Sequence, residues 1–314
     1  MTQRRALGGA VNWALSLLVL AVFAWAVHHY WGWQRLFTPW AKVPIALVAL
    51  VAVAQLSSYS VRAYRVYYAE PEIPRGRWHD CLKLILLNNV MNLLLPARTG
   101  EASFPVLLSR WFGINAARGA GTLLWLRLLD LGVLAVLAIA VLGRSVVPSL
   151  HPVLLAAVCA LGVAAPLLAL PVQARASRRL ADRDGRVAGL LRKALGGMPA
   201  SARRVFVDIV LSWTAWGIKL AALAVVFAQL ADLRVLDAVM GAIGGDLSTV
   251  LPVHAPGGFG TYEAGVVALV ALVADAGPAL LAAAVNLHLL VLGIALLGGA
   301  YAWLTQPRRT PRRT

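Results

Sequence analysis

Leu95-Pro96-Ala97-Arg98-Thr99-Gly100-Glu101 and Leu251-Pro252-Val253-His254-Ala255-Pro256-Gly257-Gly258-Phe259-Gly260-Thr261-Tyr262-Glu263 are the two stretches on which the fold turns. Each runs Leu-Pro, then a glycine, then Glu-Ala, and each breaks an apolar region. A bilayer core of about 30 Å needs about 20 apolar residues in a helix. The segments flanking the two loops, 80–95 with 103–117 and 236–252 with 262–276, fall short of that length. Around them lie six segments that reach it: roughly 10–28, 43–62, 119–142, 152–171, 207–231 and 278–304.

Composition agrees. Of 314 residues, 60% are hydrophobic and 13% charged, about half the charged fraction of a soluble domain. The chain reads as a single transmembrane domain over 1–314, an all-α polytopic membrane protein. The net charge of +16 does not imply nucleic acid, because the Lys and Arg residues fall in short loops between apolar runs. No basic stretch interleaves with exposed aromatics. The expected partners of those loops are anionic lipid headgroups. Cys81 and Cys159 sit in apolar runs without metal-ligand spacing, so neither metal nor cofactor is expected. Arg4 and Arg5, followed by an apolar run to Val27 with Ala24-Trp25-Ala26, resemble a signal peptide. With so much membrane-embedded sequence behind it, this run is read as an uncleaved first span.

Charge placement selects the topology. If 80–95 crossed fully, the loop 172–205 would lie outside. That loop carries Arg175, Arg178, Arg179, Arg183, Arg186, Arg192, Lys193, Arg203 and Arg204, so the arrangement would oppose the positive-inside rule. Treating 80–117 and 236–276 as re-entrant hairpins places the basic loop 172–205 and both termini in the cytoplasm. Only Arg35, Lys42, Arg144 and Arg234 then lie outside. Arg62, Arg65, Arg75 and Arg77 belong, in this reading, to the cytoplasmic connection 62–79. The hairpins enter from opposite sides, so the halves 1–142 and 152–304 have the pattern of an inverted repeat, as in secondary transporters. The competing reading makes each loop a kink in a packed bundle.

Several polar residues fall at membrane depth, where charge is costly unless paired or hydrated. Arg98 and Glu101 either neutralise each other or serve a ligand; guanidinium suits phosphate through its planar fork. Asn88 and Asn92 share one helical face, for interhelical hydrogen bonding or to line a polar path. Arg127 and Asp130, three apart, form an intrahelical ion pair or face a ligand; Arg127 could also pair with Glu101 and leave Arg98 for substrate. In the second motif, Pro256, Gly257, Gly258 and Gly260 allow unusual backbone angles and close approach of a ligand. Asp246 and Glu263 are candidates for proton coupling, or else cap a tight turn. Lys219, Asn286 and His288 are weaker signals; Lys219 would counter Asp246 or Glu263.

These motifs together, Asn88-Asn89 through Leu95–Glu101, Arg127-x-x-Asp130, and Ala255–Gly260 with Glu263, resemble the flippase-like family, also called the lysylphosphatidylglycerol synthetase transmembrane region. The likeness covers nearly the whole chain. Lysyl-transferring members carry a soluble catalytic domain after the membrane part, and this chain ends at Thr314 without one. The resemblance therefore implies the translocating half, with members associated with moving aminoacylated phospholipids or suspected of moving lipid-linked sugars. Arg98, Glu101, Arg127, Asp130, Pro256, Gly257, Gly258 and Glu263 match the family pattern.

No paired-aspartate repeat, Gly-x-Ser-x-Gly elbow, His-Glu-x-x-His, Walker loop or dinucleotide fingerprint occurs in the sequence. The expectation is thus an inner-membrane lipid translocator without catalytic chemistry. Its substrate would be a phospholipid or a polyprenyl-phosphate-linked headgroup. A non-transporting partner of a membrane glycosyltransferase, or an intramembrane lipid-modifying enzyme using Glu101 and Asp130, are the alternatives.

Overall fold

The computed structural model describes residues 32–145, 151–250, 256–275 and 277–307, together with Ala21, Trp25, His28 and His29. Most of the expected first span 10–28, the 251–255 part of the second motif with His254, and most of the basic tail lie outside the described residues.

Among the described residues the fold is helical. In chain order the helices are α1 (Trp33–Phe37), α2 (Ile45–Ala69), α3 (Trp78–Leu94), α4 (Ser103–Phe112), α5 (Ala116–Ser145), α6 (Pro152–Ala164), α7 (Ala169–Ala181), α8 (Arg186–Leu195), α9 (Ala202–Ala231), α10 (Val235–Val250), α11 (Thr261–Val270) and α12 (Pro278–Leu304). Five stretches are long and apolar enough to cross a membrane: Ile45–Ala69, Ala116–Gly143, Pro152–Ala181, Ala202–Ala231 and Ala279–Leu304. They coincide with the five expected spans after the first. Within Pro152–Ala181 a 3-10 turn at Ala165–Leu168 joins α6 to α7, where Pro166 sits in the first turn and removes a backbone donor.

The span ends differ from those read in the sequence. The expected boundary at residue 62 is wrong: α2 runs on through Ala69, and Arg62 and Arg65 are buried side chains of a helix. They belong to a helix and not to a loop between helices. The 172–205 segment is likewise mostly helix. α7 ends on Arg178 and Arg179, which suit the negative end of its dipole. α8 is amphipathic, with Val187, Leu190 and Leu191 exposed on one side.

The chain divides into two compact units that interleave along the sequence. The first comprises Met1–Val53, Val90–Gly100 and Leu220–Leu296. Here α10 and α11 pack as a tight antiparallel pair. Small residues make this possible: a Cβ on Gly244 would collide with the Gly265 carbonyl, and one on Gly245 with the Tyr262 ring. Asn286 on α12 pins α1 and the turn after it, accepting from Trp40 Nε1 at 2.8 Å and donating to the Leu36 carbonyl at 2.6 Å. The second unit comprises Ala54–Asn89, Glu101–Lys219 and Leu297–Thr314. Its interior holds Trp125, Phe104, Leu84, Leu108 and Leu134.

Candidate functional site

In the second unit, α2, α3, α4 and α5 enclose a small cleft of about 30 Å³. Arg62, Arg65, Asn88, Asn89, Arg127 and Asp130 supply its polar wall, and Ile85, Phe104, Leu123 and Leu126 its apolar one. Asp130 is 2% exposed. Its Oδ1 accepts from Arg65 Nη1 at 2.8 Å and from Trp216 Nε1 at 3.0 Å, and its Oδ2 stands 3.7 Å from Arg127. Arg65 also donates to the Ser212 hydroxyl. Arg127 Nε reaches Glu101 Oε1 at 3.0 Å. The Arg62 guanidinium lies over the Trp216 ring, 4.4 Å from its centroid, and Lys219 Nζ sits 5.2 Å from the same centroid. Such cation–π contacts strengthen where water is excluded.

Three guanidiniums thus gather about Asp130, with Glu101 taking one of them. The carboxylate fixes the arginines and lowers the cost of burying them. The cleft keeps a positive formal charge, and its arginine forks are rigidly aimed. Such a wall can hold a phosphate or carboxylate. Outside, α2, the start of α3 and Leu211 of α9 form an apolar groove of about 380 Å³, lined also by Val61, Tyr64, Tyr67 and Trp78.

The first unit carries the second motif. Gly257, Gly258 and Gly260 adopt φ of 70°, 77° and 80°, in the left-handed region that favours glycine. The turn they make delivers Glu263 into the first turn of α11. There Glu263 Oε2 accepts from the Gly260 N–H at 2.7 Å, and Oε1 stands 2.8 Å from His288 Nδ1 of α12. The imidazole is stacked on Tyr262, with centroids 4.4 Å apart, and tilts against Phe259 at 4.9 Å. Glu263 and His288 are both buried. Asp246 is buried on α10 in the same unit.

Both motifs fall within one family match. The family model of the lysylphosphatidylglycerol synthase TM region matches residues 13–299. The chain belongs to that family. It is a multi-pass membrane protein tied to lipid biology. No curated protein and no solved structure matched significantly.

Within this lysylphosphatidylglycerol synthase TM region, the residues singled out by sequence separate into two sets. Glu101, Arg127, Asp130 and Asn88 come together in the second unit. Arg127 does pair with Glu101, and Asn88 donates to Ser103 Oγ at 3.0 Å across the break between α3 and α4. Asn92 is not among the residues lining the cleft. The Arg98 and Pro256 side chains lie outside the described residues, although both backbones sit in 3-10 turns. Glu263 is met by His288, which had read as a weak signal. The residues missed were Arg62, Arg65 and Trp216. Their signal was present: Arg62-x-x-Arg65 keeps the three-residue spacing of one helix face within an otherwise apolar stretch.

Proposed function

We propose that this chain is an inner-membrane lipid translocator that moves a phosphate-bearing lipid headgroup across the bilayer. The observation that carries this reading is the gathering of the buried Arg62 and Arg65 and the half-buried Arg127 about the buried Asp130, beside a cleft. A helical bundle does not retain three guanidiniums at membrane depth for packing alone, because each costs several kcal/mol unless paired or hydrated. A diester phosphate entering the cleft would exchange its hydration for the arginine forks while its acyl or prenyl tails stay in lipid. The apolar groove beside α2 offers those tails an aromatic-rimmed bed. Arg98, on the break between α3 and α4, is assigned the first contact with the headgroup.

The second motif supplies the moving counterpart in this reading. The short α10–α11 pair, closed by a glycine turn, is read as a re-entrant hairpin, and the α3–α4 break as its partner of opposite entry. Glu263 with His288, together with Asp246, is the assigned place for a proton to couple to movement. Both termini are assigned to the cytoplasm, and no covalent chemistry is assigned to the chain.

Reconstitution into liposomes carrying phosphatidylglycerol with a fluorescent tail label tests the proposal. Dithionite added outside should bleach more than the outer-leaflet fraction in protein-containing vesicles. Arg98→Ala should slow that bleaching at least tenfold. Bleaching equal to that of protein-free vesicles would sink the proposal, and a wild-type rate in Arg98→Ala would remove that residue's role.

A further inference from the structure

The cleft does not account for the whole polar face of α2. Gln55, Ser58, Arg62 and Arg65 follow one another at spacings of three, four and three, so they form a single stripe along the helix. At about 1.5 Å per residue the stripe is about 15 Å long, half of a hydrocarbon core of about 30 Å. All four are buried. Three have occupations: Arg65 holds Asp130, Arg62 covers Trp216, and Ser58 Oγ donates to the Ala215 carbonyl at 2.8 Å.

Gln55 does not. It is 0% exposed, and neither its Nε2 nor its Oε1 has a hydrogen-bond partner among the described residues. A primary amide can donate twice and accept twice, and inside a membrane no bulk water makes up the loss. An apolar residue would pack here at lower cost, since replacing a buried unsatisfied group by an apolar one of similar shape is neutral or stabilising. The amide is therefore retained for something that visits. Its place on the stripe, up to three turns from the guanidiniums, says what that is: a polar group that leaves the arginine cleft along α2.

We propose that the Gln55–Arg65 stripe of α2 is the track for the lipid's phosphate headgroup, with Gln55 its mid-membrane station. This inference rests on the translocator reading and names the path within it. At the station the amide N–H groups donate to phosphate oxygens, and the amide oxygen accepts from headgroup hydroxyl or ammonium groups. The arginines hold the headgroup tightly at one end. A neutral amide holds it weakly at the other, so that it can leave.

Two measurements test the track. In a Cys81→Ala/Cys159→Ala background, Gln55→Cys and the neighbouring, exposed apolar position Leu56→Cys are labelled in liposomes with a membrane-impermeant cationic methanethiosulfonate. Gln55→Cys should react at least tenfold faster, although Leu56 is the more exposed in the protein, because a headgroup track must admit water. Short-chain phosphatidylglycerol should slow this reaction and inorganic phosphate should not. A rate no greater than that of Leu56→Cys overturns the proposal. Slowing by inorganic phosphate as strong as by the lipid assigns the track to a free anion and overturns it too. Second, Gln55→Leu should melt at or above the wild-type temperature yet translocate at least tenfold more slowly; a wild-type rate overturns the proposal. If the wild type itself moves no lipid, the translocator reading fails, while the labelling comparison still decides whether the stripe is wet and lipid-sensitive.

Discussion

Arg65 and Asp130 meet at 2.8 Å with both side chains almost fully buried, and this pair organises the charged centre of the second unit. Removing one member of such a pair leaves an uncompensated buried charge and costs about 3–5 kcal/mol. Asp130→Leu is expected to lower the melting temperature in detergent more than any other single change in the cleft. The double variant Arg65→Leu/Asp130→Leu should regain part of that loss and still transport nothing. A double variant as unstable as the sum of the two single ones would show that the pair is not coupled.

Gly244 and Gly265 set the distance between α10 and α11. A Cβ at Gly244 meets the Gly265 carbonyl, a backbone atom that cannot swing away. Gly244→Ala should therefore destabilise by more than the roughly 1–3 kcal/mol of ordinary overpacking. Gly293 on α12 has open space at its Cβ position. There alanine should be neutral or stabilising by up to about 1 kcal/mol through helix propensity. Thermal melts of the two variants side by side check the contrast.

His288 holds Glu263 Oε1 while Gly260 N–H holds Oε2. Glu263→Gln keeps an acceptor for the Gly260 N–H, whereas Glu263→Leu abandons both partners. The expected order of melting temperatures is wild type, then Glu263→Gln, then Glu263→Leu. The last step should be worth about 1–3 kcal/mol for unsatisfied buried groups. If the pair couples protons to transport, Glu263→Gln also flattens the pH dependence of the transport rate.

Glu70 lies one residue beyond the end of α2. Burial pushes its carboxyl above the usual range, against the opposing influence of the Thr122 hydroxyl and Arg118. The hydroxyl of Thr122 has one proton for Glu70 Oε1 and the Gly197 carbonyl, besides the Arg118 carbonyl of its own helix at 3.3 Å. A protonated Glu70 donates to Thr122 and lets Thr122 donate to Gly197, which satisfies all three. A carboxyl raised on folding adds stability that is fully present below its unfolded value near 4.5. That stability is lost as pH rises through the folded value. Wild type should therefore lose stability relative to Glu70→Gln as pH rises from 4.5 to neutrality. Melting curves across that range check the sign; a wild type that gains on the glutamine variant as pH rises contradicts it.

Much of this architecture was legible because hydropathy and length are sufficient for spans. The five described spans lie where apolar runs of adequate length lie, and the Pro/Gly loops mark real breaks in helix. Glu101 with Arg127 was legible as well, since charges at membrane depth must find each other. Arg62 and Arg65 were lost because a hydropathy window ends a span at its first guanidinium, while the helix ends only at Ala69 once Asp130 and Trp216 receive the charges. His288 was lost for another reason. Its partner is 25 residues away on a different helix, and nothing local in the sequence records that meeting. The basic segment 172–205 was read as loop from its charge, although Val187, Leu190 and Leu191 already carried a helical period.

In the translocator reading the arginine cleft selects its cargo by phosphate charge, and the headgroup dependence of translocation measures that selection most directly. Liposomes containing the purified chain and trace amounts of tail-labelled phosphatidylglycerol or tail-labelled diacylglycerol-linked neutral sugar are assayed by dithionite bleaching in parallel. The phosphate lipid should cross at least tenfold faster than the neutral glycolipid, and Arg65→Gln should abolish the difference. Equal rates for the two lipids in the wild type, or a preference that survives Arg65→Gln, would contradict selection by the arginines.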